Sequence, residues 1–247
     1  MVKIKTIILT IFLLLLIVLL IVLKLNLLTA FFQDDGNFQD DGNCPNIYYI
    51  NLKHRIDRKK HLLKQFDKIN YPSNKIIRIN AVENSVGILG CLASHIKALK
   101  QGMSDSNRYC IILEDDFTFI KTLSVAEINK TLTGCFNTDI KWNVILISMN
   151  GELIENQDKN KLLLNIKESQ TASGYIIKKS YIPVLLKLFT NLYDQTKDYT
   201  VKPPHELCMD IHWKKLQDNT WFVTNPKLGI QYASYSDIEN KDVDYNV

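Results

Sequence analysis

The stretch Cys110-Ile111-Ile112-Leu113-Glu114-Asp115-Asp116 constrains everything around it. Apolar, β-branched residues that end abruptly in three acids read as a buried parallel strand with the acids at its carboxyl end. Open α/β sheets bind ligands at that end. Adjacent carboxylates there repel one another unless a cation or hydrogen-bond donors offset the charge. Hard divalent ions such as Mn²⁺ or Mg²⁺ take oxygen ligands of this kind, often together with substrate phosphates. The stretch therefore points to a metal–diphosphate site on Glu114, Asp115 and Asp116. The plainer reading is an acidic loop after a strand.

The chain has 247 residues, enough for one full α/β domain and a short appendage. The net charge is +4 and includes lysines beside an N-terminal apolar run. No zinc finger, helix-turn-helix or RNA-binding motif is present, so no nucleic-acid partner is expected. Five cysteines, an odd number in a domain of ordinary size, do not make a disulfide framework. Cys91 and Cys110 read as small core residues, and one disulfide among the five stays open.

Residues 1–6 carry Lys3 and Lys5 and precede an apolar run, Ile7 to Leu23, that continues past Lys24 to Phe32. A membrane helix needs about 17–25 apolar residues. Lys24 can snorkel, and the N-terminal lysines favour a cytoplasmic N-terminus. Residues 7–32 are thus expected to form one transmembrane anchor. That implies a single-pass protein whose globular part lies on the non-cytoplasmic side. A cleaved signal peptide fits less well, because its apolar core would be shorter and Thr29-Ala30-Phe31 is a poor cleavage site. Residues 33–46 hold most of a tandem FQDDGN repeat and read as a polar stalk. Residues 47–247 form the remaining domain.

Within that domain, Ile47–Leu52 reads as the first strand, with Asn51 at its carboxyl end. The basic loop Lys53–Lys60 follows, where Arg55 or Arg58 can meet a phosphate; the alternative is a solvated helix start with an Asp57–His61 pair. Ile76–Asn80 reads as a second strand. A helix through Leu89, Leu92, Ile96, Leu99 and Met103 comes next, with Gly87 and Gly90 as turn-permitting residues at its entry. Cys91 and His95 share a face of it, but no third metal ligand is suitably spaced. Ser124 and Glu127 form a capping box, Asn129-Lys130-Thr131 is a glycosylation sequon, and Val144–Met149 is a further strand. Shorter strands are expected at Leu162–Ile166, Gly174–Ile177 and Trp221–Thr224, and Ser180 can cap the helix through Val184 and Leu192. Asp210 lies beyond Pro203-Pro204 and can pair with Lys214. Strands alternating with helices give an α/β domain with a mainly parallel sheet.

Taken in order, three segments carry a resemblance. They are Tyr49-Ile50-Asn51-Leu52 with Arg55-Ile56-Asp57-Arg58, then Gly90-Cys91-Leu92-Ala93-Ser94-His95, then Leu113-Glu114-Asp115-Asp116. Weaker echoes follow at Gly174-Tyr175, at Asp210 and at Pro226–Gln231. Together they make the chain, from Ile47 to Gln231, similar to glycosyltransferase family 25, which includes bacterial lipooligosaccharide galactosyltransferases and procollagen galactosyltransferases. The resemblance implies a Rossmann-like glycosyltransferase A-type fold. It implies a UDP-sugar donor, Mn²⁺ (or Mg²⁺), and inverting transfer of a hexose to a glycan or hydroxylated protein acceptor. It implies metal ligands Glu114, Asp115 and Asp116, donor contacts from Asn51, Arg55, Arg58, Ser94 and His95, and Asp210 as general base with Glu206 as its nearest rival. One departure is visible: Ile88 follows Gly87 where such proteins usually carry a glutamate. Two competing classes remain, a catalytically inactive binding or adhesion protein of the same fold and a different metal-dependent phosphotransfer enzyme or nuclease.

Overall fold

The computed structural model describes residues 15–22, 24, 44–239 and 241–244. The chain divides into two units, Met1–Asn37 and Phe38–Val247. In the first, residues 15–22 and 24 are helical and the side chains of 15–22 are exposed. Among the described residues no helix is long and apolar enough to cross a membrane. The expected anchor lies largely outside the described residues, and the tandem repeat lies wholly outside them.

The second unit is built on an eight-stranded sheet. Its strands are β1 (Ile47–Asn51), β2 (Ile76–Asn80), β3 (Tyr109–Glu114), β5 (Val144–Leu146), β6 (Asn150–Leu153), β7 (Leu163–Gln170), β8 (Gly174–Lys178) and β9 (Trp221–Thr224). Across the sheet the order is β2-β1-β3-β8-β5-β9-β7-β6. Six strands point one way and β7 and β8 run against them, so the sheet is mainly parallel but mixed.

Alternation along each strand explains the layering. Tyr48, Ile50 and Ile112 enter one core with Leu92, Ile96 and Leu99 of α2 (Gly87–Ser104) and Leu185 and Phe189 of α4 (Ile182–Thr196). Ile47, Tyr49, Ile111 and Leu113 enter the other with Leu62 and Phe66 of α1 (Ile56–Lys68) and Ile128 and Leu132 of α3 (Val125–Asn137). Successive side chains of a strand point to opposite faces, so a strand buried on both sides must be apolar throughout. Each fully buried large side chain contributes about 1.5–3 kcal/mol. Truncating one, as in Leu99→Ala, is expected to cost about 2–5 kcal/mol.

Several local expectations meet the structure differently. The Ser124–Glu127 capping box forms in full. Ser180 does not cap its helix; it sits in a one-turn 3₁₀ segment, and α4 starts at Ile182 without a side-chain cap. Gly90 lies inside α2, and its need is space: a Cβ there would stand 2.6 Å from the Val82 carbonyl oxygen. Asn129 of the sequon is buried and donates to the Ile69 carbonyl, so it offers no glycan acceptor in the folded domain. Cys91, Cys110, Cys135 and Cys208 are free thiols.

The chain segments that build the site meet at one sheet end. Asn51 pairs in register with Asn80, and Ile50 with Glu114. After Glu114 the chain turns through Asp115 and Asp116 into β4 (Phe117–Phe119), which pairs antiparallel with β10 (Gly229–Gln231). That pairing brings the C-terminal segment across the strand ends. Beyond it, β11 (Ser234–Ser236) and β12 (Lys241–Val243) form a small hairpin.

Candidate functional site

A cavity of about 470 Å³ opens at the carboxyl ends of β1, β2 and β3, bounded by the first turns of α2 and by the C-terminal segment. Its acidic wall is Glu114, Asp115 and Asp116. Asp115 and Asp116 are buried. Asp115 accepts from Asn51 Nδ2 at 2.7 Å and from Arg58 Nη1 at 3.1 Å. Asp116 Oδ2 accepts from the same Arg58 nitrogen at 3.0 Å and from Gln231 Nε2 at 3.1 Å. Asp116 Oδ1 is buried and has no hydrogen-bond partner among the described residues.

Three acids this close cannot all be comfortable as anions. Burial, with the Glu114 and Asp115 charges behind it, pushes the Asp116 carboxyl up to about 7 against the opposing pull of Arg58. Burial also raises Asp115 above its ordinary range, although Arg58 and Asn51 oppose it. Glu114 goes the other way. Burial raises it, but the hydrogen bond and charge of His95, with Cys91 and Arg58, outweigh that and hold it below the ordinary value.

Each residue expected in the site has a definite location. Glu114 Oε1 lies 2.9 Å from His95 Nε2 and 3.6 Å from Cys91 Sγ, while His95 Nδ1 lies 3.0 Å from the Tyr175 hydroxyl. Asn51 is fully engaged: beyond Asp115 it donates to the Arg55 carbonyl and accepts from Arg78 Nε at 2.9 Å. Its side chain therefore positions Asp115. Ser94 accepts from the Val82 amide and donates to the Gly90 carbonyl, tying the loop after β2 to α2. Arg58 lines the cavity, and its second amino group donates to Ser234 Oγ and the Tyr235 carbonyl at 2.9 Å each. Arg55 is not among the lining residues. It is paired with Asp57 and Asp237 and donates to the Tyr235 carbonyl. The alternative Asp57–His61 pair does not form, because His61 stacks on Tyr232.

Asp210 sits at the start of the one-turn helix α5 (Met209–His212) and accepts the Thr171 amide at 3.0 Å through Oδ2. Thr171 has φ 81, an unusual backbone for a β-branched residue. Lys214 pairs with Glu168 and so leaves Asp210 without the expected partner. Asp210 is not among the residues that line the cavity. The Cys91 thiol is raised well above its usual range by burial first, and then by the Glu114 and Asp210 charges. Glu206 is exposed in a 3₁₀ turn.

A model of glycosyltransferase family 25 (LPS biosynthesis protein) matches residues 73–201. The chain belongs to glycosyltransferase family 25. As a member of this family it is a glycosyltransferase by descent, and the matched segment holds α2, β3 and the three acids. No curated protein matches the chain. Among solved structures it is similar to a glycosyltransferase involved in the glycosylation of the major capsid of PBCV-1, at 9% identity, covering 74% of this chain and 82% of that one with a TM-score of 0.41. It is also similar to the glycosyltransferase GlyE of Streptococcus pneumoniae TIGR4, at 9% identity, 72% and 44% coverage and a TM-score of 0.42. With TM-scores below 0.5, these neighbours add no weight to a choice of donor or mechanism.

Four residues in or behind the cavity wall escape the sequence reading: Cys91 and Gln231 line the cavity, while Arg78 and Tyr175 contact its lining residues Asn51 and His95. Arg78 carries a visible signal, a lone cation in the apolar strand Ile76–Asn80. Cys91 sits inside a quoted motif but looks like a core residue. Tyr175 and Gln231 are brought near the acids by β3–β8 and β4–β10 pairing, which local sequence does not show.

Proposed function

We propose that this family 25 enzyme transfers a hexose, galactose or glucose, from a UDP-sugar to a hydroxyl of a glycan or hydroxylated protein, with inversion and with Mn²⁺ or Mg²⁺. The observation that carries the reading is Asp116 Oδ1, a buried carboxylate oxygen in the wall of the cavity without a partner among the described residues. A buried acceptor left unsatisfied is costly, and an oxygen-liganded divalent ion removes that cost. The donor set fits, since Asp116 with Asp115 or Glu114 offers hard oxygen atoms only. When bound, the ion would offset the charge of the departing diphosphate.

The remaining chemistry belongs to the chain. Asn51 and Arg58 hold the two aspartates in place, and His95 holds Glu114. Arg58 lines the cavity and adds positive charge where a diphosphate would lie. Asp210 takes the proton of the acceptor hydroxyl. The freed oxygen forms the new bond to the anomeric carbon as the bond to the diphosphate breaks, which inverts that centre. The glycosyltransferase A-type fold and an N-terminal membrane anchor, with the domain on the non-cytoplasmic side, are part of the same reading. Incubating the full chain with a panel of UDP- and GDP-hexoses and an acceptor mixture tests it. Release of UDP dependent on Mn²⁺ is expected, and release of GDP instead would overturn the donor.

A further inference from the structure

Cys91 and His95 stand four residues apart on α2, so one helix face presents both. Glu114 meets them from the end of β3. The three ligand atoms, Cys91 Sγ, His95 Nε2 and a Glu114 oxygen, all lie within 4.8 Å of one another. The far ring nitrogen of His95 meets the fully buried Tyr175 hydroxyl at 3.0 Å. Such a contact fixes the tautomer and orientation of a ligating imidazole. All three residues line the cavity, so one side of the triangle stays open. Sequence spacing offers the Cys–His pair no third ligand; the fold supplies one from another element.

We propose that Cys91, His95 and Glu114 form a Zn²⁺ site with a fourth position open to the cavity. One thiolate, one imidazole and one carboxylate suit a tetrahedral zinc ion, whereas Mn²⁺ and Mg²⁺ favour oxygen ligands throughout. Binding exchanges the existing contacts. The Nε2 lone pair and the Glu114 oxygen turn to the ion, the imidazole proton sits on Nδ1 and is donated to Tyr175, and the thiol proton leaves to solvent. Glu114 is common to this site and the acidic cluster, so zinc here withdraws one carboxylate from Asp115 and Asp116. The site does not depend on the donor proposed above, and its test uses no turnover.

The test is titration of the full-length chain with Co²⁺ as a spectroscopic stand-in. A thiolate-to-cobalt charge-transfer band is expected at one equivalent, displaced by one equivalent of Zn²⁺ and not by excess Mn²⁺. Cys91→Ser should remove the band, and Cys208→Ser, at the other half-buried thiol, should keep it. Absence of the band in the wild type, its survival in Cys91→Ser, or equal displacement by Mn²⁺ would overturn the site. Should Cys91→Ser fail to fold, Tyr175→Phe leaves every ligand in place. It is expected to weaken Zn²⁺ about 10–100-fold, and unchanged affinity would contradict the proposal.

Discussion

One guanidinium nitrogen of Arg58 lies 3.0 Å from Oδ2 of Asp116, with the two side chains 11% and 7% exposed. The same guanidinium reaches the C-terminal segment through Ser234 and Tyr235. Arg58 thus offsets the charge of the acidic cluster and anchors the segment that walls the cavity.

Removing Arg58 should therefore do more than remove a surface charge. Breaking a buried pair by deleting one partner costs about 3–5 kcal/mol, because the surviving charge is left uncompensated. Arg58→Ala is expected to lose about that much in denaturant unfolding, and added Mn²⁺ should restore part of it. Arg58→Lys should fall between, since an ammonium cannot match the planar fork that spans Asp115, Asp116, Ser234 and Tyr235. A loss below about 1 kcal/mol in Arg58→Ala would place the pair among exposed ones.

Asp116 gives a pH dependence whose sign can be worked out. Its folded-state value, about 7, lies above the ordinary carboxylate value of 3.8. The folded protein therefore binds this proton more tightly than the unfolded chain does. Below pH 4 both states are protonated and the group contributes nothing. Between 4 and 7 the metal-free fold loses stability as pH rises, and the loss levels off above 7. Metal-free Asp116→Asn should melt above wild type at pH 8, and the gap should close by pH 4. Added Mn²⁺ at pH 8 should raise the wild-type melting temperature but not that of the variant. Equal melting of the two proteins at pH 8 and pH 4 would contradict the burial argument.

Asp210 is expected to act in the chemical step. Asp210→Asn keeps an oxygen that can accept the Thr171 amide, so the local backbone is preserved. Turnover should fall by about 10²–10⁴, with UDP and Mn²⁺ affinity nearly unchanged. Near-normal turnover in that variant, or full loss in Glu206→Gln alone, would return Asp210 to a purely structural role.

The N-terminal run is expected to remain attached in the mature protein. N-terminal sequencing of purified material should find the run Ile7 to Leu23 retained. A start near Phe31 or Gln33 would identify residues 7–32 as a signal peptide.

The sequence exposed the fold where one residue type answers one physical demand. Ile76–Asn80 and Trp221–Thr224 are strands to the residue because their apolar runs end at clear polar boundaries. β6 escaped because its face is mostly exposed and carries no apolar run. β8 is the strand expected at Gly174–Ile177; only its reversed direction escaped, because antiparallel and parallel neighbours look alike in a strand buried on both faces. In the site, the three acids were legible from their position after a strand. Their partners were not, because Asn51, Arg58 and Gln231 reach them across long sequence separations. Arg55 and Arg58 look equivalent in sequence and both reach the Tyr235 carbonyl; what separates them is that Arg58 pairs with Asp115 and Asp116, whereas Arg55 pairs with Asp57 and Asp237.

The most direct test of the metal–diphosphate reading is calorimetric titration of UDP into the full chain with and without Mn²⁺, repeated on Asp116→Asn. Binding by the wild type only when Mn²⁺ is present, and no binding by the variant under either condition, is the expected result. Unchanged affinity and metal dependence in Asp116→Asn would contradict the assignment of the acidic cluster.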